Sequence, residues 1–186
     1  MTKQTFRRSV AVLATAALTG CGGGGSDPQA PAPTSYWTMN AYQYVTGGSS
    51  ISRTTVSDRP FTIAVISTAT PAGGDVSNGA YSGSALAFSF IGSLPGTYSV
   101  ARDREALIAS STSTNAILVQ STVGTAVTTG STQYAATAGQ VVVTLDNTGK
   151  YRFSSVGTLV AAKTLEVGGG VAGAPPSMTL TIHDAN

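Results

Sequence analysis

Reactive and ligand-forming side chains are nearly missing from this 186-residue chain: it has one cysteine (Cys21), one histidine (His183) and two glutamates (Glu105 and Glu166). A single cysteine allows no disulfide within the chain. One histidine and one cysteine fall short of a zinc site of ordinary composition, and any serine triad would have to use His183 as its base. His183 follows Leu180 and Ile182, and strand alternation turns it to the outward face, away from its neighbour Asp184. It reads as a solvated histidine. No cofactor and no metal are expected. Charge is scarce too: charged residues make up 10% of the chain, against roughly a quarter in an average domain. No basic run with interleaved aromatics occurs, so nucleic acid is not an expected partner. No stretch reaches the roughly twenty apolar residues of a transmembrane helix.

What is present begins at the N-terminus. Lys3, Arg7 and Arg8 precede an uncharged stretch, Val10 to Thr19, and then Leu18-Thr19-Gly20-Cys21. A basic segment, a short apolar segment and small residues are the three parts of a secretory signal. Leu18-Thr19-Gly20-Cys21 resembles the lipobox of bacterial lipoproteins. That resemblance implies a diacylglyceryl group on the Cys21 thiol, cleavage before Cys21, and acylation of the new amino group. Two or three acyl chains anchor a protein almost permanently, where one does so marginally. Gly22 stands where many inner-membrane lipoproteins of Gram-negative bacteria carry Asp, which implies sorting to the outer membrane. Arg7-Arg8 suggests a twin-arginine signal, but Ser9-Val10 lacks that motif's bulky apolar continuation, so the general secretory route is expected.

Cleavage there divides the chain into a signal at 1–20, a lipidated tether at 21–34 and one domain at 35–186. Removing the signal takes away three of ten basic residues and no acidic one, leaving 7 − 8 = −1 in place of +2. The tether joins Gly22-Gly23-Gly24-Gly25-Ser26, a flexible coil, to Asp27-Pro28-Gln29-Ala30-Pro31-Ala32-Pro33, a stiffer spacer. Its typical reach is on the order of 20 Å and its extended limit about 45 Å.

From Ser35 onward the pattern has period two. Phe61, Ile63 and Val65 share a face, as do Leu86, Phe88 and Phe90; Val141, Val143 and Leu145; and Met178, Leu180 and Ile182. Turn residues separate these runs, and Asp146-Asn147-Thr148-Gly149 is the strongest hairpin signal, with Gly149 in a left-handed position. The expectation is an all-β fold, an antiparallel β-sandwich or flattened barrel of about eight or nine strands. A short helix is expected only between Arg102 and Ala109. The body resembles small β-rich Gram-negative lipoproteins of unknown function, a likeness that brings no site residues with it.

Four motifs bear on chemistry. Gly168-Gly169-Gly170-Val171-Ala172-Gly173 fits the dinucleotide fingerprint literally, yet Pro175 and Pro176 forbid the helix that would hold a pyrophosphate. It reads as a mobile glycine loop. Asp75, Ser77 and Asn78 offer calcium-type oxygens without a bidentate acid, and read as a turn. Glu105 lies in the alternating-sign cluster Arg102-Asp103-Arg104-Glu105, a solvated turn or helix start, and nothing in the sequence brings Glu166 to it. Tyr36, Trp37, Tyr42 and Tyr44 form the candidate binding strip. Alternation through one strand would set Tyr36, Tyr42 and Tyr44 on one face and Trp37 with Met39 on the other. Burial of both faces is the competing reading.

The expected function is a membrane-anchored, non-enzymatic lipoprotein for binding, adhesion or envelope assembly, with an envelope protein or glycan as ligand. A hydrolase of envelope polymer using carboxylates or a serine, and a purely structural envelope protein, are the alternatives. Clustering of Asp103, Glu105, Glu166 and a serine in one hollow would favour the hydrolase.

Overall fold

A computed structural model of the protein describes residues 34–68, 81–110, 115–124 and 130–186. All belong to one compact unit, Ala32–Asn186. Cys21, the tether and the Asp75–Asn78 turn lie outside the described residues.

The fold is all-β. Its strands are β1 (Tyr36–Met39), β2 (Tyr42–Val45), β3 (Gly48–Val56), β4 (Arg59–Thr68), β5 (Gly83–Ile91), β6 (Gly96–Val100), β7 (Ala116–Gly124), β8 (Ser131–Ala136), β9 (Gln140–Leu145), β10 (Tyr151–Ser155), β11 (Leu159–Val167) and β12 (Ser177–His183). One helix, α1 (Arg104–Ala109), joins β6 to β7. Twelve described strands exceed the eight or nine expected: the run from Tyr36 to Tyr44 breaks in two where Asn40, at φ 51°, starts a tight turn, and β3, β8 and β11 form in stretches without a clear apolar alternation.

The pairing is antiparallel except between β6 and β7. Ladders run β1–β2, β3–β4, β4–β5, β5–β7, β7–β8, β8–β11, β11–β12 and back from β12 to β1. β2 and β3 are two parts of one bent run, with the Gly47 amide donating to the Ser67 carbonyl at 2.8 Å. Eight ladder positions therefore curl round on themselves, joined between β2 and β3 by that bend and not by a ladder. β3 is exposed from Gly48 to Thr55, and Ile51, paired with buried Ala64, is 41% exposed. The sheet swings clear of the core there and leaves a half-barrel.

Two insertions complete it. β6 and β8 share one edge of β7, since β6 takes Ala116–Ile117 and β8 takes Gln120–Gly124. Parallel neighbours need a crossover, and the segment carrying α1 supplies it. β9 and β10 add to β6, and the Phe153 and Ala185 backbones exchange two 2.9 Å hydrogen bonds that strap this small sheet to the end of β12. Its apolar face closes the core: the Phe153 ring stacks on Phe88 at 3.9 Å and 5°, and Tyr98 and Tyr151 meet Phe90 edge-on. At the other end Trp37 stacks with Tyr44 at 5.7 Å, and its indole N–H donates to Ser84 Oγ at 3.0 Å.

Leu86, Phe88 and Phe90 face this core, as their alternation predicts. Phe61, Ile63 and Val65 do not. Their strand turns Ala64 and Ile66 inward instead, and Phe61 is buried on the outer face by Leu107 of α1. That helix is short but secured at both ends. Asp103 is its N-cap, accepting the Ala106 amide at 2.7 Å. Arg59 reaches across from β4 to the Ile108 and Ser110 carbonyls, supplying donors to the terminal carbonyls that a helix leaves unpaired.

The β9–β10 hairpin forms at Asp146–Gly149, with Gly149 at φ 79°. Asp146 Oδ1 accepts from the Thr148 hydroxyl and from the Thr148 and Lys150 amides, at 2.7–3.0 Å. These bonds, the Thr148 hydroxyl foremost, hold its carboxyl down to about 2. Since the folded value lies below the unfolded one, the stabilisation is complete above the ordinary carboxylate range and is lost as pH falls from about 4 to about 2. Asp146→Ala should therefore melt below the parent at pH 7, and the two melting curves should converge at pH 2. A gap of constant size across that range would contradict the assignment.

Candidate functional site

The aromatic strip does not survive as a surface. Because a turn separates β1 from β2, Trp37 pairs with Tyr44 and Tyr36 with Val45, so parity resets across the hairpin. Trp37, Met39 and Tyr44 share the core face and are fully buried. Burial also raises the Tyr44 phenol above its ordinary range. Tyr42 is half-buried against Tyr81 at 4.2 Å. Tyr36 stays on the outer side, its ring 4.9 Å from that of its register partner His183.

The other candidates are scattered. His183 is exposed, as alternation predicts. Asp184 turns to Arg152, which also meets Asp146 at 3.5 Å, so these three charges tie the hairpin to the end of β12. Glu105 is solvent-exposed in the first turn of α1. Glu166 pairs with Lys163 at 2.8 Å, and the same ammonium donates to the Ala174 carbonyl. The glycine loop they flank is held down: Val171 is buried, and its amide donates to Thr132 Oγ1 at 2.9 Å. Four of its glycines have positive φ, and no helix follows before β12. Among the described residues, no group of three His, Cys, Asp or Glu side chains converges to hold a metal.

A hollow forms on the outer face, with the sheet between it and the core. It is a cavity of about 300 Å³, and the registers show how it is built. Ile63 pairs Ser89 and Ser89 pairs Leu118, making one cross-strand row; Ala87, Gln120 and Ala135 make the next. Neighbouring strands lie about 4.8 Å apart, so small residues at 87, 89 and 135 leave a trough between larger ones. Leu107 of α1 and Phe61 wall one side, Thr164 of β11 stands at another, and Arg102, Asp103 and Arg104 line the rim.

Polar groups in this trough are not used up by the fold. Among the described residues the Ser89 hydroxyl and the Gln120 amide, both half-buried, have no hydrogen-bond partner, and neither has the Arg104 guanidinium. Asp103 differs. One carboxylate oxygen accepts the Ala106 amide and the other meets Arg102 Nε at 3.0 Å. The Ala106 bond above all holds its carboxyl below the usual range, which makes it a poor proton acceptor.

Sequence reasoning missed this site. Its one legible signal was Ala85, Ala87 and Ser89, small residues alternating with Leu86, Phe88 and Phe90 on β5. No protein-family model matches the chain, and no curated protein or solved structure matches it.

Proposed function

We propose that the protein is a lipid-anchored binding module of the cell envelope, held in the outer membrane through Cys21, with the cavity beneath α1 as its ligand site. The observation that carries the binding reading is the half-buried polar floor of the trough, open to a ligand and not bonded within the described residues. A fold that needed α1 only for stability would bring apolar side chains to the whole contact, whereas Ser89 and Gln120 face the hollow half-buried and unpartnered. Concave, largely apolar sites with a few convergent polar groups are the usual form of small-molecule sites.

A hydrolytic reading gains less support. Asp103 and a serine, Ser89, do share the cavity, but Asp103 already accepts two hydrogen bonds, and Glu105 and Glu166 do not line it. The anchor is supported by the lipobox, the preceding signal and a tether long enough to hold a domain just off a membrane.

Cys21→Ser tests the anchor. With radiolabelled palmitate, the parent should label and fractionate with membranes, while the variant should lose the label and accumulate as precursor or soluble protein. Unchanged labelling or normal processing of the variant would sink the lipoprotein reading. Protease added to intact cells then separates surface display, where the domain is degraded, from a periplasmic position, where it is protected.

A further inference from the structure

We infer that the cavity beneath α1 takes a small carboxylic acid with an apolar body of about two fused rings, the acid held by Arg104 at the rim. This deepens the binding-module reading and rests on it. Size sets the first limit. An apolar cavity of about 150 Å³ accommodates benzene, and this one, at about 300 Å³, offers twice that space.

The distribution of chemistry sets the second. Phe61, Ile63, Leu107 and Leu118 make one side apolar. Such a surface favours a flat hydrocarbon body by the area it removes from water. The rim carries the arginines, Arg104 on the same short helix as Leu107. Arg102 is tied to Asp103 through Nε, whereas Arg104 has no partner among the described residues. A free guanidinium presents a planar fork that fits a carboxylate with two parallel hydrogen bonds. On the floor, Gln120 can both donate and accept and Ser89 can do either, so an ether, hydroxyl or carbonyl on the body has a place to bind.

Charge selects the monoanion. Asp103 lines the same rim, ionised and held so by its bonds to Ala106 and Arg102. Its field offsets part of the arginine charge and opposes a dianion such as a phosphate monoester, while one carboxylate matches the one uncommitted guanidinium.

The probe is 2-naphthoate, with naphthalene-2-carboxamide as its neutral counterpart of the same shape. Binding is measured by equilibrium dialysis on the purified protein in mild detergent, the parent and Cys21→Ser alike, with detergent alone as the blank. A ligand of this size should bind with Kd about 1 mM or tighter. The amide should bind about tenfold more weakly, and Arg104→Gln should bring the acid to the amide's level, the loss of one charge-assisted pair. Arg104 is exposed and unbonded, so the variant keeps the fold. Gln120→Leu should weaken acid and amide alike, and Arg53→Gln, whose guanidinium lies over Tyr151 on the other face of the sheet, should change neither. Equal affinity for acid and amide, an Arg104→Gln protein that binds like the parent, or no binding of naphthoate at 10 mM would each overturn the proposal. The lipid state of Cys21 enters none of these measurements, so failure here and failure of the anchor are read separately.

Discussion

Trp37→Ala should lower the unfolding free energy by about 3–5 kcal/mol, seen as a large fall in the urea midpoint. Total stability of a domain is about 5–15 kcal/mol, so much of the margin would go. The size follows from position. Trp37 is fully buried, stacked with Tyr44 on the neighbouring strand and hydrogen-bonded to Ser84 on β5 across the core. Removing the indole opens a void between two parts of the sheet that no strand ladder joins. It also deprives the buried Ser84 hydroxyl of its donor, a further penalty of about 1–3 kcal/mol where no water replaces it. Tyr36→Ala provides the contrast. Its ring lies one residue away on the outer side against His183, and its loss should stay within about 1 kcal/mol. If the two variants unfolded at the same denaturant concentration, the hairpin parity described here would be wrong. Trp37→Phe should fall between them, since it keeps most of the buried area and loses the hydrogen bond.

Gly130→Ala should cost about 1–3 kcal/mol, although it adds a single methyl group. A Cβ at this position would run into the Gly170 carbonyl oxygen, far inside van der Waals contact, and would lie 3.1 Å from the Gly170 carbonyl carbon and 3.3 Å from the Gly168 oxygen. These obstacles are backbone, so no rotamer change relieves them. The loop cannot easily lift away either. The Val171 amide is bonded to Thr132, Lys163 holds both Glu166 and the Ala174 carbonyl, and the Tyr134 hydroxyl donates to the Pro175 carbonyl at 3.0 Å. Burial also raises the Tyr134 phenol to about 12. The substitution must therefore strain the start of β8 or detach the loop, and detachment would speed hydrogen exchange at the Val171 amide. Gly124→Ala, on the facing strand, meets only ordinary contacts at 3.4–3.9 Å and should change stability by less than about 0.5 kcal/mol. Equal effects of the two alanines would show that the glycine loop is not packed on β8.

Much of the local structure was legible. Leu86, Phe88 and Phe90 point inward together, as do Met178, Leu180 and Ile182, because a strand repeats its direction every second residue. The turn at Asp146–Gly149 and the outward position of His183 follow from the same local rules. The cluster from Arg102 to Glu105 starts a helix because Asp103 can cap it. Where the reading failed, a local rule was carried across a break in the chain. Treating Tyr36 to Tyr44 as one strand put Trp37 and Tyr44 on opposite faces; the turn at Asn40–Ala41 joins them. The glycines at 168–173 signalled a loop correctly but not its attachment, which depends on Thr132 some forty residues away in sequence.

The candidate site was hardly legible at all. It draws on β4, β5, β7, β8, β11 and α1, and each of its floor rows is assembled across three strands. Sequence alone determined the periods, the turns, the helix cap and the near absence of reactive side chains, since each depends on a few consecutive residues and their steric preferences. Tertiary structure decided which side of each strand would be covered. Period two distinguishes two faces but carries no sign. Phe61, Ile63 and Val65 looked like a core face and lie outside, because Ala64 and Ile66 pack inward and α1 covers only part of what remains. The uncovered part, floored by small residues and rimmed by arginine, is the hollow proposed here to bind.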